Sequence, residues 1–317
     1  MGLWIYASLY NPFGGNETKK EFEIKKGEDL STIALHLKEE GIISSKLLFS
    51  SYVFLKDKQG VLKAGKYFLS ASMGINKIAQ KFIEGEDLEN KIIIIEGWNL
   101  NNIADYLEKQ KIVKSQDFLK VTGQPRLFLD KFSVLEDKPI EAGLEGYLFP
   151  DTYSIPSQAS SNLIIEKMLS NLEVKLSLDL RQEIRRQGKT IFQILTMASI
   201  LEKEVRSKED KQIVSGIFWK RIANHYPLQS CATIAYALGK NKWRYSIKDT
   251  KINSPYNTYQ RLGLPIGPIC NPGLESIEAA IYPKKTNFWY YLSAPNGETI
   301  FSKTLREHNI ARRKYLK

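Results

Sequence analysis

Cysteine, histidine and long apolar segments are all scarce in this 317-residue chain. Its two cysteines, Cys231 and Cys270, can pair or stay free, but no Cys-X-X-Cys spacing is present, which disfavours a zinc site. None of its three histidines has a recognisable catalytic setting, so a Cys–His nucleophile is also disfavoured. We therefore expect neither a metal nor any other cofactor.

The sequence also contains no complete membrane span. The N-terminal apolar segment, residues 1–15, is shorter than the roughly 20 residues that cross a bilayer. It has no basic n-region and no cleavage site, so it is not a whole signal peptide. Because Trp4, Tyr6 and Tyr10 suit a membrane interface, we predict that residues 1–20 are a membrane-proximal arm, the truncated end of an anchor. A mobile aromatic-rich arm is the alternative.

Acidic residues are scarce in the second half of the chain. Residues 1–150 contain 20 Lys and Arg against 21 Asp and Glu, whereas residues 151–317 contain 26 against 14. Such a local excess of positive charge suits an anionic polymer or a membrane surface. A generic solubilising charge is the alternative. Because the sequence has no zinc-finger spacing, RNP motif or compact helix-turn-helix signal, we expect no nucleic-acid partner.

An internal repeat with an offset of 70 residues organises the first part of the chain. Residues 24–37 align with residues 94–107, with Gly, Leu, Ile-Ala and Leu at identical offsets. Each copy predicts a strand, a glycine turn, an N-capped helix and a returning apolar pair. A further strand and helix complete the first copy. The sequence therefore predicts a small βα module at residues 21–90 and a larger domain at residues 91–317.

The larger domain is predicted to be mainly helical. Apolar periodicity predicts helices near residues 161–175, 179–187, 190–206, 209–224, 274–281 and 303–314. Asn296-Gly297 is a tight-turn signal, which predicts a hairpin formed by residues 288–293 and 299–301. The fold class is therefore α+β, with a small βα module before a mostly helical domain that ends in a β-hairpin and a basic helix.

Glu202 occupies an unusual place in the predicted helix at residues 190–206. Thr190 begins a capping box, and apolar residues then recur at helical spacing. At about 100° per residue, Glu202 projects into this apolar stripe, whereas Glu204 projects to the opposite, wet face. Because burial favours the neutral carboxyl group, such an acid can protonate a leaving group at neutral pH. Glu202 is thus a candidate catalytic acid, unless it pairs with a cation such as Arg206 or marks a fraying helix end.

Polar and aromatic side chains are concentrated in three further segments. Residues 253–273 form a loop stiffened by Pro and Gly, and residues 144–153 have a similar composition. Residues 228–233 are a short polar segment before the next helix. Aromatic faces with amides and hydroxyls suit sugar binding, whereas a structural cover over the core is the alternative. The candidate binding residues are Glu145, Tyr147, Gln229, Ser230, Asn253, Ser254, Tyr256, Asn257 and Thr258.

Six ordered motifs resemble a single family. They are residues 145–153 (EGYLFPDTY), 198–204 (ASILEKE), 228–233 (LQSCAT), 254–259 (SPYNTY), 263–273 (GLPIGPICNPG) and 301–309 (FSKTLREHN). Together they are similar to the endolytic murein transglycosylases, the MltG (YceG-like) family of bacterial cell-wall enzymes. The resemblance implies a LysM-like module at residues 21–90 and a catalytic domain at residues 91–317, anchored by a single pass to the outer face of the cytoplasmic membrane. The chain departs from the family at Cys231, where an acid is common.

The resemblance implies a peptidoglycan lytic transglycosylase that cuts between N-acetylmuramic acid and N-acetylglucosamine. In that scheme Glu202 is the family's catalytic glutamate: it protonates the departing oxygen and then deprotonates the muramic C6 hydroxyl, giving a 1,6-anhydro end. One carboxyl group suffices, whereas ordinary glycosidases use two. The implied partners are glycan strands and cell-wall synthases. Two alternatives stay open, a hydrolase using Glu202 with Glu145 or Asp151, and a glycan-binding scaffold without catalysis.

Overall fold

The computed structural model describes residues 18–56, 62–85, 89–157, 159–240, 242 and 245–316. The chain packs as two compact units, the first ending at Asn90 and the second beginning at Lys91. Most of the predicted arm at residues 1–20 lies outside the described residues. Within the described ranges, no helix has the length and apolar character that a membrane crossing requires.

The first unit contains a two-stranded sheet and three helices among its described residues. Its elements are β1 (Lys20–Ile24), α1 (Leu30–Glu39), α2 (Lys46–Leu55), β2 (Gly65–Leu69) and α3 (Ile75–Glu84). Strands β1 and β2 pair antiparallel, with Lys20 opposite Leu69. One face of the sheet is buried against the helices, and aromatic rings meet there. The Phe82 ring centroid lies 4.6 Å from that of Tyr67 and 5.9 Å from that of Phe22.

The second unit is mostly helical. Strand β3 (Glu89–Ile93) leads into it, followed by α4 (Leu100–Lys109), α5 (Ser115–Thr122), β4 (Thr152–Pro156), α6 (Ser161–Lys175), α7 (Leu178–Arg186), α8 (Ile191–Glu204), α9 (Lys208–Ala223), α10 (Cys231–Leu238), α11 (Leu274–Ile281), β5 (Tyr290–Ser293), β6 (Thr299–Ser302) and α12 (Leu305–Tyr315). Strand β3 pairs with β4, and β5 pairs antiparallel with β6. The fold is therefore mixed α and β, with small two-stranded sheets. The helices and the C-terminal hairpin predicted from periodicity are confirmed, with ends within two residues of those expected.

The strand-turn-helix repeat is also present. Gly27 (φ 84°) and Gly97 (φ 80°) occupy equivalent turns in the left-handed conformation that favours glycine. Asp29 then caps α1 by accepting a hydrogen bond from the Thr32 amide at 2.9 Å, and Asn99 caps α4 in the same way. Each copy has a second helix, α2 or α5, that the sequence analysis missed. Apolar residues surround α2 on several sides, so no one-sided stripe identifies it.

Helix α8 lies in the core of the second unit. Its capping box at Thr190 is confirmed, and Asp137 also accepts hydrogen bonds from two amides of its first turn. Residues 194–201 are all buried, so the helix is enclosed on every side instead of being amphipathic. The predicted wet face does not exist along these two turns, and this affects where the acids at the end of α8 point.

Helix α9 approaches the backbone at Lys284 very closely. A Cβ atom at Gly216 would lie 2.1 Å from the Lys284 carbonyl oxygen. We expect Gly216→Ala to lower the free energy of unfolding by about 1–3 kcal/mol, because α9 must move to accommodate the methyl group. Gly123→Ala is the control, since the backbone there is helical and a Cβ would meet its nearest neighbour at 3.6 Å. Equal urea midpoints for the two variants would contradict the close approach.

Candidate active site

Glu202 lies in the last turn of α8, inside a closed polar network. Its Oε1 atom lies 3.3 Å from Lys211 Nζ, and the two side chains are only 9% and 5% exposed. Its Oε2 atom accepts hydrogen bonds from the Gly273 amide at 3.0 Å and the Ser276 hydroxyl at 2.7 Å. Both donors belong to the start of α11, which has no side-chain cap of its own. Glu202 therefore supplies that cap from another helix.

This network corrects the predicted environment of Glu202. The sequence suggested an acid among apolar side chains, but the carboxyl group has a lysine and two hydrogen-bond donors, which are partners of an ionised carboxylate. The ion pair considered as an alternative is present, with Lys211 in place of Arg206. A second carboxyl group, Glu96, lies close by, and its pKa is raised first by burial and then by the charge of Glu202.

Glu204, two residues further along, belongs to a different cluster. Its Oε1 atom accepts a hydrogen bond from the Ser230 hydroxyl at 2.5 Å and lies 3.4 Å from the Ala232 amide nitrogen, at the N-terminus of α10. Burial, followed by the charge of Glu204 and a hydrogen bond with it, raises the pKa of Tyr291 well above its ordinary value. Glu204 is still partly exposed. The prediction that it projects to an outer, wet face is wrong, because the enclosed helix α8 turns this side chain toward α10 and β5.

Exposed residues flank Ser230, the hydrogen-bond partner of Glu204. Gln229 is exposed and has a φ of 52°, a left-handed conformation that costs energy for a residue with a side chain. The backbone amide of Gln229 donates a hydrogen bond to the Thr258 carbonyl at 3.0 Å, which holds the turn. Cys231 is free and exposed, and its Sγ atom lies 3.1 Å from the Tyr259 hydroxyl. Partial burial raises the pKa of the Cys231 thiol, so this position carries a neutral group.

Three predicted sugar-binding residues hold the loop together instead. Asn257 is 1% exposed, and its side-chain amide donates to two backbone carbonyls. Thr258 is equally buried, and its hydroxyl accepts from the Ser230 amide at 3.1 Å and lies 2.9 Å from the Thr233 hydroxyl. The Ser230 side chain is also 1% exposed and is directed at Glu204. Burial limits the access of a ligand to the Asn257, Thr258 and Ser230 side chains, and their direct sugar contacts stay a prediction.

The remaining residues of the 253–273 loop are more accessible. Asn253 is exposed and Tyr256 is partly exposed. The Ser254 hydroxyl accepts a hydrogen bond from the Tyr256 amide at 3.2 Å, which shapes the turn that carries the tyrosine. Asn253, Tyr256 and Gln229 thus stay available for a ligand, while Ser254 shapes the loop.

Glu145 lies in a further cluster that the loop helps to build. Its Oε2 atom accepts hydrogen bonds from the Leu100 amide at 3.2 Å and the Tyr236 hydroxyl at 3.1 Å. Its Oε1 atom accepts one from Asn271 Nδ2 at 3.3 Å. Burial outweighs these donors and raises the pKa of Glu145 to about 7. The Tyr236 ring packs against that of Tyr256 at 4.8 Å, so the cluster extends from a buried carboxyl group to a partly exposed tyrosine.

Tyr147 is a core residue. It is fully buried, and its hydroxyl has no hydrogen-bond partner within the described part of the chain. Its burial leaves no surface for a ligand in this structure, and its contact with substrate stays a prediction. The preceding Gly146 has a φ of 85°, and Pro268 lies where a Cβ atom would stand, at 2.4 Å. This close approach fixes the segment carrying Glu145 against the 253–273 loop.

Comparisons with known proteins agree with one another. The model of the YceG-like family matches residues 22–314. A Bacillus subtilis protein named endolytic murein transglycosylase is 36% identical over 329 residues, which cover 99% of this chain and 90% of that relative. A Streptococcus pneumoniae R6 protein of the same name is 31% identical over 90% of this chain, and the match spans 56% of that relative. A crystal structure of a yceG-like protein from Listeria monocytogenes matches with 36% identity and a TM-score of 0.65, covering 93% of this chain and 100% of that one.

Proposed function

This chain belongs to the YceG-like family, and on that premise we propose that it is a peptidoglycan lytic transglycosylase that cuts within glycan strands. The relatives named endolytic murein transglycosylase support this activity, and the Bacillus subtilis relative matches almost the whole chain. One structural observation supports the assignment of the proton-transfer role to a particular residue. Glu204 is a partly exposed residue whose carboxyl group is held by Ser230 and the start of α10, and Ser230 is flanked by the exposed residues Gln229 and Cys231.

Glu204 is the proton-transfer group in this proposal, in place of Glu202. A group that exchanges a proton with substrate needs access to it. Glu202 has little access, because Lys211, Gly273 and Ser276 occupy both of its oxygens and only 9% of its side chain is exposed. Glu204 instead has uncharged partners, which are the Ser230 hydroxyl, the Ala232 amide and the Tyr291 hydroxyl. The Cys231 thiol near Glu204 is neutral because its pKa is raised, so it adds no negative charge beside the carboxyl group.

The reaction proceeds in two proton transfers. Glu204, as the acid, protonates the glycosidic oxygen while the bond from that oxygen to C1 of N-acetylmuramic acid breaks. The resulting carboxylate takes the proton of the C6 hydroxyl of the same sugar, whose oxygen bonds to C1 and closes a 1,6-anhydro ring. Glu204 ends protonated, and no water is consumed. A bound strand would exclude water from Glu204, so that the proton passes directly between the carboxyl group and the sugar oxygens.

Other groups position the strand. Gln229, Asn253 and Tyr256 carry accessible amide, hydroxyl and aromatic groups. Gln229 precedes Ser230, which bonds to Glu204, and Tyr256 packs on Tyr236, which bonds to Glu145. We assign Gln229, Asn253 and Tyr256 to sugar binding, with aromatic stacking from Tyr256 and hydrogen bonds from the amides. No second carboxyl group is required, because the nucleophile belongs to the substrate.

The first unit is proposed to be a LysM-like module that binds the same polymer. Its β1-α1-α2-β2 order, with an antiparallel strand pair, supports this assignment. Action on peptidoglycan places the second unit outside the cytoplasmic membrane. A single-pass anchor and cell-wall synthases as partners are proposals that rest on the family resemblance.

Mass spectrometry of digested peptidoglycan tests the proposal. We expect the purified chain to release internal fragments that end in 1,6-anhydro-N-acetylmuramic acid. Such ends are 18 Da lighter than reducing ends, roughly the mass of one water that hydrolysis would add. Fragments with reducing ends would show a hydrolase instead. Binding without any cleavage by the folded protein would leave a glycan-binding scaffold as the better account.

A further inference from the structure

Glu145 carries a titratable group that the mechanism above does not use. Its carboxyl group is surrounded by donors: the Leu100 amide, the Asn271 side-chain amide and the Tyr236 hydroxyl. The Leu100 amide and the Asn271 NH2 group can only donate, and the Asn271 carbonyl oxygen already accepts from the Leu148 amide. A hydroxyl, by contrast, can donate or accept. When Glu145 becomes protonated, its O–H can therefore donate only to the Tyr236 hydroxyl, which reverses the hydrogen bond between the two side chains.

The effect of such a reversal extends to Tyr256. Tyr236 and Tyr256 pack ring against ring at 4.8 Å with an interplanar angle of 58°. Each hydroxyl also influences the other, since hydrogen bonding between them raises the pKa of Tyr236 and lowers that of Tyr256, after the larger raising effect of burial on both. The protonation state of Glu145 thus determines the direction of the hydrogen bond at the Tyr236 hydroxyl, and the Tyr236 ring packs against Tyr256, the tyrosine that faces the ligand.

We propose that Glu145 is a positioning residue for the glycan strand, acting through Tyr236 on Tyr256. In its ionised form it accepts from Tyr236 and fixes the tyrosine pair as a platform for a sugar ring. In its neutral form the hydrogen bond reverses and the platform loosens. The inference rests on the proposed function, because it assumes that the strand binds beside Tyr256.

Among the residues that the structure describes, three other titratable groups interact with Glu145. Tyr236 comes from α10, Tyr256 from the 253–273 loop, and Cys270 from the same loop. Burial keeps the pKa of Cys270 well above its ordinary value, with the negative charge of Glu145 as the next cause. Tyr236 and Tyr256 also have raised pKa values, so all three stay neutral near pH 7. Glu145 is therefore the group in this cluster whose charge changes near neutral pH, because its own pKa is about 7.

The test is the pH dependence of glycan cleavage between pH 5.5 and 8.5, with kcat and KM measured separately on solubilised glycan strands. Because a raised pKa means that Glu145 is ionised only above about pH 7, we expect KM of the wild type to rise about tenfold as pH falls to 5.5, the order expected for one charge-assisted hydrogen bond. The variant Glu145→Gln should have the high KM at every pH. Tyr236→Phe should do the same, since it removes the hydroxyl and keeps the ring.

Glu166→Gln is the matched control, because Glu166 is paired with Lys131 on the surface of α6 and should keep the wild-type profile. A Glu145→Gln profile identical to that of the wild type would overturn the inference, as would a change in kcat alone, which would indicate direct proton transfer by Glu145. Melting temperatures identify variants that fail to fold, and Tyr236→Phe provides an independent route. Absence of cleavage by the wild type would count against the proposed function itself.

Discussion

Glu204→Gln is expected to lower the rate of glycan cleavage about 10³-fold, within the range that a positioned proton donor contributes. The amide retains the shape of the side chain and an oxygen that can accept from Ser230, so the fold should be unaffected. It cannot deliver a proton to the glycosidic oxygen. Release of 1,6-anhydro fragments, followed by mass spectrometry, measures the loss, and urea denaturation checks that stability is retained.

Glu202→Gln is the matched control for the Glu204→Gln variant. The two glutamates lie two residues apart on the same helix, so a general disturbance of the end of α8 would affect both variants. We expect Glu202→Gln to retain activity to the extent that it folds, with its deficit appearing in stability. Full activity of Glu204→Gln, together with an inactive but folded Glu202→Gln, would return the proton-transfer role to Glu202.

Glu202→Leu is expected to lower the free energy of unfolding by about 3–5 kcal/mol, because it leaves the buried ammonium group of Lys211 without a partner. Lys211 is 5% exposed at its side chain and cannot simply turn toward water. The double variant Glu202→Leu, Lys211→Met removes both charges. It should recover most of that loss, with about 1 kcal/mol remaining for the missing cap on α11.

Urea denaturation of Glu202→Leu, of Lys211→Met and of the double variant measures the coupling free energy between the two charges. A single variant as stable as the wild type would contradict the closed network. Additive losses in the double variant would also contradict it, because independent sites add and paired buried charges do not.

Much of the fold was accessible from the sequence. The repeat, the capping residues and the Asn-Gly turn are local signals, and the elements they predict are present. The two missed helices illustrate the limit of this reasoning. In α2 the apolar residues face both the core and solvent, as the exposed Phe54 and Leu55 show. Periodicity detects a helix only when one face is buried and the other is wet.

The site was harder to predict from the sequence than the fold, and the end of α8 explains why. A helical wheel separates Glu202 from Glu204 only if the helix has a dry side and a wet side. Met197 and Ile200, which lie seven and four residues before Glu204, are both fully buried. Their apolar character was a signal that Glu204 also faces the interior of the unit. The partners themselves, Lys211 for one acid and Ser230 for the other, depend on tertiary packing and are not specified by local spacing.

Tertiary packing also decides which polar residues of the 253–273 loop are buried and which are exposed. Amides and hydroxyls suit both a ligand and a backbone carbonyl, so composition alone does not distinguish Asn253, which is exposed, from Asn257, which is 1% exposed. Only the course of the loop decides which of the two amides holds the turn.

The carboxyl groups that cap helices from a distance have a consequence for how the second unit acquires its structure. Asp137 caps α8 across 54 residues, Glu202 caps α11 across 71, and Glu204 reaches the start of α10 across 28. An isolated helix of this length is marginal in water. Helix α8 also has its local capping box at Thr190, but the starts of α10 and α11 gain these carboxyl partners only when distant parts of the chain have met. The helices at the site therefore form together with the tertiary fold rather than before it, which favours slow, cooperative folding in which no half-built site is exposed.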